Sequence, residues 1–126
     1  MARKEHIPTT RISETIYVRH YGKEKRDSES VTIYVEYAWY RPNVVDVLFN
    51  ECSETCLDYY GDSDIERYIH VRGDAVKKLA DKFTAKDANT LLRRMADRFR
   101  SYGWDAYKQM TAWLEQKGIE YTTSIY

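Results

Sequence analysis

The feature that most constrains the fold is a strict two-residue alternation over positions 31–40. Because successive side chains of a strand point to opposite faces, this pattern predicts a half-buried β-strand. We expect the strand to end at Pro42, which cannot donate to a sheet ladder. One set of positions is apolar and consists of Val31, Ile33, Val35, Tyr37 and Trp39. The intervening positions are Thr32, Tyr34, Glu36, Ala38 and Tyr40.

A similar alternation precedes it over positions 11–21. Ile12, Ile16 and Val18 are expected on one face. Tyr17, Arg19 and Tyr21 are expected on the other. The polar stretch 22–30 separates the two alternating segments, so they are predicted to form a β-hairpin. Residues 1–10 are expected to form a flexible N-terminal arm.

Residues 43–60 can be interpreted in two ways. Residues 44–49 have the composition of a strand. At about 100° per residue, however, the apolar positions of the whole segment fall on one side of a helix, with Cys52 and Cys56 among them. We favour the helix. The alternative is a third strand through about Asn50, followed by a further strand.

The second half of the chain combines helical spacing with two more strand-like segments. Residues 65–72 alternate, and helices are predicted to begin near Asp74, at a capping box that starts with Thr84 and ends with Asp87, and near Trp104. The β-rich segment 119–126 can return to the sheet as an added strand. The prediction is a single α+β domain over residues 1–126. About three or four α-helices pack on one face of an antiparallel sheet of about three to five strands.

No catalytic, metal-binding or cofactor-binding motif stands out. Cys52-x3-Cys56 has no paired histidines to complete a zinc site, and it fits small apolar core residues better. We therefore expect no metal and no cofactor. His70 shares a predicted strand face with Tyr68 and Arg72, which leaves a small enzyme with a site near His70 as one alternative.

Several negative features indicate a cytoplasmic protein. The chain has no run of about 18 apolar residues, so no membrane partner is expected. It has only two cysteines, and its charged N-terminus has no apolar stretch behind it. This pattern is typical neither of a disulfide framework nor of a signal peptide.

The net charge of zero hides a strong segregation of charge. Residues 43–66 carry seven Asp or Glu and no Lys or Arg. Residues 67–100 carry ten Lys or Arg and four acids. An acidic surface of this kind steers association toward a partner with a basic surface.

The twelve tyrosines are the compositional outlier. Tyr and Arg are enriched at binding hot spots, so tyrosines on an uncovered sheet face favour a binding role. The chain is predicted to be a non-enzymatic protein-binding module of the small bacterial or phage inhibitor or immunity type, which occludes a partner's site. The residues predicted to bind are Glu54, Asp58, Tyr59, Tyr60, Tyr68, Tyr17, Tyr34, Tyr40 and Arg19.

A nucleic-acid binder is the second function considered. Tyr17, Tyr34 and Tyr40 would stack on bases, while the arginines would contact phosphates. The pI near 6.8 argues against it, because dedicated nucleic-acid binders are usually basic. A homodimer through the first hairpin or the segment 119–126 is a further expectation. The arginines considered are Arg19, Arg93, Arg94 and Arg98.

Overall fold

A computed structural model describes residues 8–21, 27–52 and 64–126. Within these ranges five strands form one antiparallel sheet in the order β1-β2-β3-β4-β5. This confirms the α+β class, the first hairpin and the return of the C-terminal segment to the sheet. The strands are β1 (Thr9–His20), β2 (Ser28–Ala38), β3 (Arg41–Cys52), β4 (Asp64–Arg72) and β5 (Thr122–Ile125).

The helices lie between β4 and β5. They are α1 (Asp74–Lys82), α2 (Ala88–Phe99) and α3 (Ala106–Gln116). A 3-10 turn, Arg100–Asp105, joins α2 to α3 and bends at Gly103. Counted as continuous segments, the described residues therefore hold two: α1 by itself, and a longer segment in which the 3-10 turn joins α2 to α3. The expected count of three or four separate helices is wrong, because the 3-10 turn joins α2 to α3 in one long segment that is kinked at the non-helical Gly103.

The helix favoured for residues 43–60 is also wrong, since residues 41–52 form β3. This strand pairs with β2 on one side and β4 on the other. Val45, Val47 and Phe49 alternate into the core and are almost fully buried. Pairing with two neighbouring strands and the burial of every second side chain against the helices outweigh the helical spacing. Positions 53–60, Cys56 and the start of any further strand lie outside the described residues.

Two predicted boundaries also change. The second strand ends at Ala38, four positions before Pro42, and Pro42 lies within β3. The intervening Trp39 and Tyr40 form the turn. Thr9 already belongs to β1, so the predicted arm is too long at its C-terminal end; positions 1–7 lie outside the described residues.

A β-bulge in β1 corrects the predicted faces of that strand. The register shifts between Thr15 and Tyr17, so Tyr17 lies opposite Val31 and Val18 lies opposite Ser30. One extra residue inverts the alternation beyond it. Val18 is consequently 54% exposed, while Tyr17 packs against the core.

The core lies between one face of the sheet and the helices. Val31, Ile33 and Val35 on β2 are fully buried there. Leu91 and Met95 of α2 meet that side at helical spacing and are also buried. Burying one such side chain stabilises the fold by roughly 1.5–3 kcal/mol. The opposite face of the sheet carries no helix among the described residues.

Candidate binding face and its Asp46–His70–Ser124 network

The face of the sheet opposite the helices is called the outer face. The pairing register assigns side chains to it, because directly paired residues of antiparallel strands share a face. One row runs Ser13, Tyr34, Asp46, His70 and Thr122 across all five strands. A neighbouring row runs Thr15, Thr32, Leu48, Tyr68 and Ser124.

Three side chains on β3, β4 and β5 form a hydrogen-bonded network at one end of these rows. His70 Nδ1 lies 2.7 Å from Asp46 Oδ1, and His70 Nε2 lies 2.7 Å from Ser124 Oγ. We assign the proton to Nδ1, because the carboxylate oxygen at 2.7 Å can only accept; Nδ1–H then donates to Asp46, and the longer 3.3 Å approach of Arg72 Nη2 to Nδ1 is a contact without a hydrogen bond. In the neutral imidazole, Nε2 is then unprotonated and accepts from the Ser124 hydroxyl.

Two arginines surround the carboxylate of this network. Arg72 Nη1 lies 2.7 Å from Asp46 Oδ1, and Arg11 Nη2 lies 3.9 Å from Asp46 Oδ2. The Asp46 side chain is only 14% exposed, so it requires partners to remain charged there. Arg72 Nη2 also lies 3.3 Å from His70 Nδ1. The charge of Asp46 is therefore shared between the imidazole and the guanidinium groups.

Aromatic rings hold the histidine in place. The Tyr68 ring stacks on His70 with centroids 5.3 Å apart and planes 11° apart. Tyr126 meets Tyr68 edge to face at 5.9 Å. Burial, and next the charge of Glu66, raises the pKa of Tyr68 above its ordinary value. Tyr68 therefore stays neutral and donates to Glu66 Oε2 at 3.2 Å.

An open depression of about 790 Å³ lies beside the network. His70, Arg72 and Thr122 line one side of it. Tyr121 and Glu115 line another, and the Tyr121 hydroxyl donates to Glu115 Oε1 at 2.6 Å. That hydrogen bond to a carboxylate raises the pKa of Tyr121 to about 12.

The turn between β2 and β3 carries the most exposed aromatic side chain among the described residues. Trp39 is 83% exposed and Tyr40 is 56% exposed. The guanidinium of Arg41 lies 5.6 Å from the centre of the Tyr40 ring. The backbone N–H of Ala88 donates to the Tyr40 carbonyl at 3.1 Å, which fixes the turn against α2. We call Trp39, Tyr40 and Arg41 the aromatic tip.

The structure separates the residues predicted to bind. Tyr34 and Tyr68 lie half-buried on the outer face, and Tyr40 belongs to the aromatic tip. Tyr17 lies on the helix side, where a Cβ added to Gly103 would lie 3.3 Å from its ring. Arg19 follows Tyr17 to that side by register. Glu54, Asp58, Tyr59 and Tyr60 lie outside the described residues.

Two of the arginines considered for phosphate contacts, Arg94 and Arg98, have hydrogen-bond partners within the fold. Arg94 Nη1 donates to the carbonyls of Phe83 and Thr84, at 2.7 and 2.8 Å, near the end of α1. Arg98 Nη1 lies 3.4 Å from the Tyr102 hydroxyl. Since Tyr17 is on the helix side, the three tyrosines considered for base stacking do not share one surface.

Sequence reasoning missed Asp46, Ser124 and Trp39. The helix favoured for residues 43–60 puts Asp46 on its polar side, whereas alternation through Val45 and Val47 puts it on the strand face that pairs with His70. Ser124 could have been found by pairing the C-terminal strand with β4. Trp39 continued the apolar alternation of β2, and no sequence signal distinguished the last strand position from a turn.

The described residues contain no cluster of three or more His, Cys, Asp or Glu side chains suited to hold a metal ion. Within the same ranges, no helix has the length and apolar character needed to cross a membrane. Comparison of the chain with family models, curated proteins and solved structures finds no match. The functional argument therefore depends on the geometry alone.

Proposed function

We propose that this chain is a protein-binding module of the small inhibitor type, which occludes a site on its partner. The observation that carries the proposal is the aromatic tip, where Trp39 is 83% exposed on a turn fixed by α2. The adjacent outer face adds the half-exposed rings of Tyr34 and Tyr68.

The composition of the tip supports binding. Trp, Tyr and Arg are the residue types most enriched at interface hot spots, and here they are consecutive. A turn that is already ordered loses little conformational entropy when it docks. The tip therefore has both the chemistry and the rigidity of an anchor.

The backbone of Trp39 gives a second, independent argument. Its φ of 63° lies in the left-handed region. That region costs a non-glycine residue roughly 1–2 kcal/mol. Gly or Asn would meet the needs of folding better at this turn. A large apolar ring that the fold does not require, at a position that disfavours it, indicates a role outside the fold.

Charge favours a partner with a basic surface. Glu36 and Glu66 project from the outer face, and Asp64 is exposed at its end. The acidic run continues in the sequence through Glu54 and Asp58. Glu66 and Asp64 lie toward the end of the outer face that is remote from the aromatic tip, so these charges would act through long-range steering, which speeds association with a basic partner.

The proposal is tested by affinity capture from native lysate with matched variants. Wild-type protein is compared with the double variant Trp39→Asn/Tyr40→Ser and with the control Lys77→Ala/Lys78→Ala on the exposed side of α1. A protein retained by wild type and by the control, but lost by the tip variant, supports the proposal. Equal recovery by all three, with all three folded by circular dichroism, would refute it.

A further inference from the structure

We infer that Ser124 is an activated nucleophile, with His70 as its general base and Asp46 as the group that orients the base, and that it accepts an acyl group from activated esters. This inference goes beyond the proposed binding function and does not depend on it. It develops the alternative of a small enzyme with a site near His70. The structure adds the two side chains that such a site needs beside the histidine, Asp46 and Ser124.

The proton positions in the network match the roles required. Because Nδ1–H of His70 donates to Asp46, the lone pair of Nε2 faces the Ser124 hydroxyl at 2.7 Å. A nucleophile, a base and an orienting carboxylate in this sequence of contacts form a serine–histidine–aspartate constellation, which is recognised by geometry and not by chain order. Stacking of Tyr68 on His70 limits rotation of the imidazole.

The position of Ser124 on the sheet edge supplies donors for the oxyanion. Tyr126 and Glu66 exchange both backbone hydrogen bonds, at 2.8 and 3.0 Å. Along an antiparallel strand these bonds alternate, so Thr123 and Ile125 direct their N–H groups away from β4. No other strand lies beyond β5 within the described ranges. The N–H of Ile125, the residue after the nucleophile, is thus placed to bind a developing oxyanion at the edge.

The surroundings select the class of substrate. Arg72 binds Asp46 at 2.7 Å and lies 3.3 Å from His70 Nδ1, so the imidazolium formed on proton transfer gains less stabilisation than a free carboxylate would give. A site with this weaker assistance needs a good leaving group. Ser124 itself lines a separate open depression of about 310 Å³ together with Thr123 and Ile125, which admits an aryl ester with a short acyl chain.

The reaction balances as an ordinary acyl transfer. Ser124 Oγ forms a bond to the carbonyl carbon, its proton passes to His70 Nε2, and the carbonyl π electrons move to the oxygen. When the carbonyl re-forms, the bond to the aryl oxygen breaks and that oxygen takes the proton from His70. Water then attacks the acyl-Ser124 ester in the same way, releasing the acid and restoring the hydroxyl.

The test uses a fluorophosphonate probe, which reports a nucleophilic serine without the need for a substrate. Ser124 Oγ forms a bond to phosphorus, fluoride leaves and the hydroxyl proton is released. We expect labelling of the folded protein, mapped to Ser124 by peptide mass spectrometry, at least about 100-fold faster than in urea, because a positioned base contributes roughly 10²–10⁴-fold.

Three variants make the test specific. Ser124→Ala and His70→Gln should each abolish labelling, the second while keeping a hydrogen-bonding side chain on β4. Ser13→Ala, on the outer face of the opposite edge strand, should label like wild type. The inference is overturned if folded wild type labels no faster than in urea, or if labelling persists in His70→Gln. Neither result would bear on capture through the aromatic tip.

Discussion

At the residue scale, the start of α2 depends on one carboxylate. Asp87 Oδ1 accepts from the backbone N–H of Thr90 at 2.8 Å, and Asp87 Oδ2 accepts from the Thr90 hydroxyl at 3.0 Å. The hydrogen bond from the Thr90 backbone, followed by that from its hydroxyl, lowers the pKa of Asp87. The helix-capping residue is therefore Asp87 itself, and the sequence pattern that suggested Thr84 as the cap was misleading.

Asp87→Ala should lower the melting temperature at neutral pH, because an N-terminal donor of α2 loses its acceptor. A group with a lowered folded pKa contributes stability above its unfolded value of 3.8, and loses it as the pH falls through the folded pKa. The difference between wild type and variant should therefore be smaller in acid, below pH 3.8, than at neutral pH. Melting curves at both pH values check this. A difference that persists unchanged in acid would contradict it.

Tyr121 provides a test at the alkaline end of the pH range. Its hydrogen bond to Glu115 raises its pKa from 10.0 to about 12. A raised pKa contributes stability that is complete below the unfolded value and is lost as the pH rises through the folded one. In an ultraviolet phenolate titration, the Tyr121→Phe difference spectrum should titrate near about pH 12. In Glu115→Gln the same group should titrate clearly lower, and an unchanged midpoint would show that Glu115 is not the cause.

At the element scale, the sequence predicted the strands whose two faces differ clearly. The alternation over residues 31–38 matches β2, and the paired segments form the predicted hairpin. The alternation did not reveal β3, because Val44 and Leu48 on the outer face of that strand are apolar as well. With apolar residues on both faces, the two-residue period is hidden and a helical arc fits equally well.

Val45→Ala and Val44→Ala distinguish the strand from the helix. The two valines would share a helix face, but in β3 Val45 is fully buried and Val44 lies half-exposed on the outer face. We expect Val45→Ala to cost about 2 kcal/mol of unfolding free energy through lost burial and an unfilled cavity, and Val44→Ala much less. Urea denaturation measures both. Equal losses would favour a shared face.

The bulge and the tip could not be predicted because they depend on context. Nothing in the residues 15–17 marks an inserted position; the neighbouring strand determines it. Likewise, Trp39 continues the apolar pattern of β2, yet it lies in the β2–β3 turn, whose Tyr40 carbonyl accepts from the Ala88 N–H of a distant segment. Alternation in the sequence predicts which face of a regular strand a site residue occupies. It does not predict which residues of distant strands lie side by side, because that depends on strand pairing.

At the scale of the whole molecule, helices cover one face of the sheet and leave the other for side chains from all five strands. Asp46, His70 and Ser124 come from three strands, and only the sheet brings them together. The aromatic tip lies at the β2–β3 turn. One surface thus carries the polar network, with anchoring rings at the neighbouring turn.

The acidic segment should act on the rate of association. Glu54→Lys/Asp58→Lys should slow binding to the captured partner by about tenfold at low salt, and the difference should shrink as salt screens the charges. Stopped-flow association at several salt concentrations measures this. Lys78→Ala, which removes an exposed charge on α1 outside the acidic segment of the sequence, provides a control. Equal association rates for wild type and the charge-reversed variant at every salt concentration would show that the acidic segment does not steer association.

The most direct test of the binding role is titration calorimetry of Trp39→Asn against the isolated partner. Asn tolerates the left-handed backbone of this turn, so the variant keeps its fold while it loses the ring. A hot-spot anchor is worth at least about 2 kcal/mol, so Kd should rise by roughly 30-fold or more. A Kd within about a factor of two of wild type would show that the partner does not use the aromatic tip.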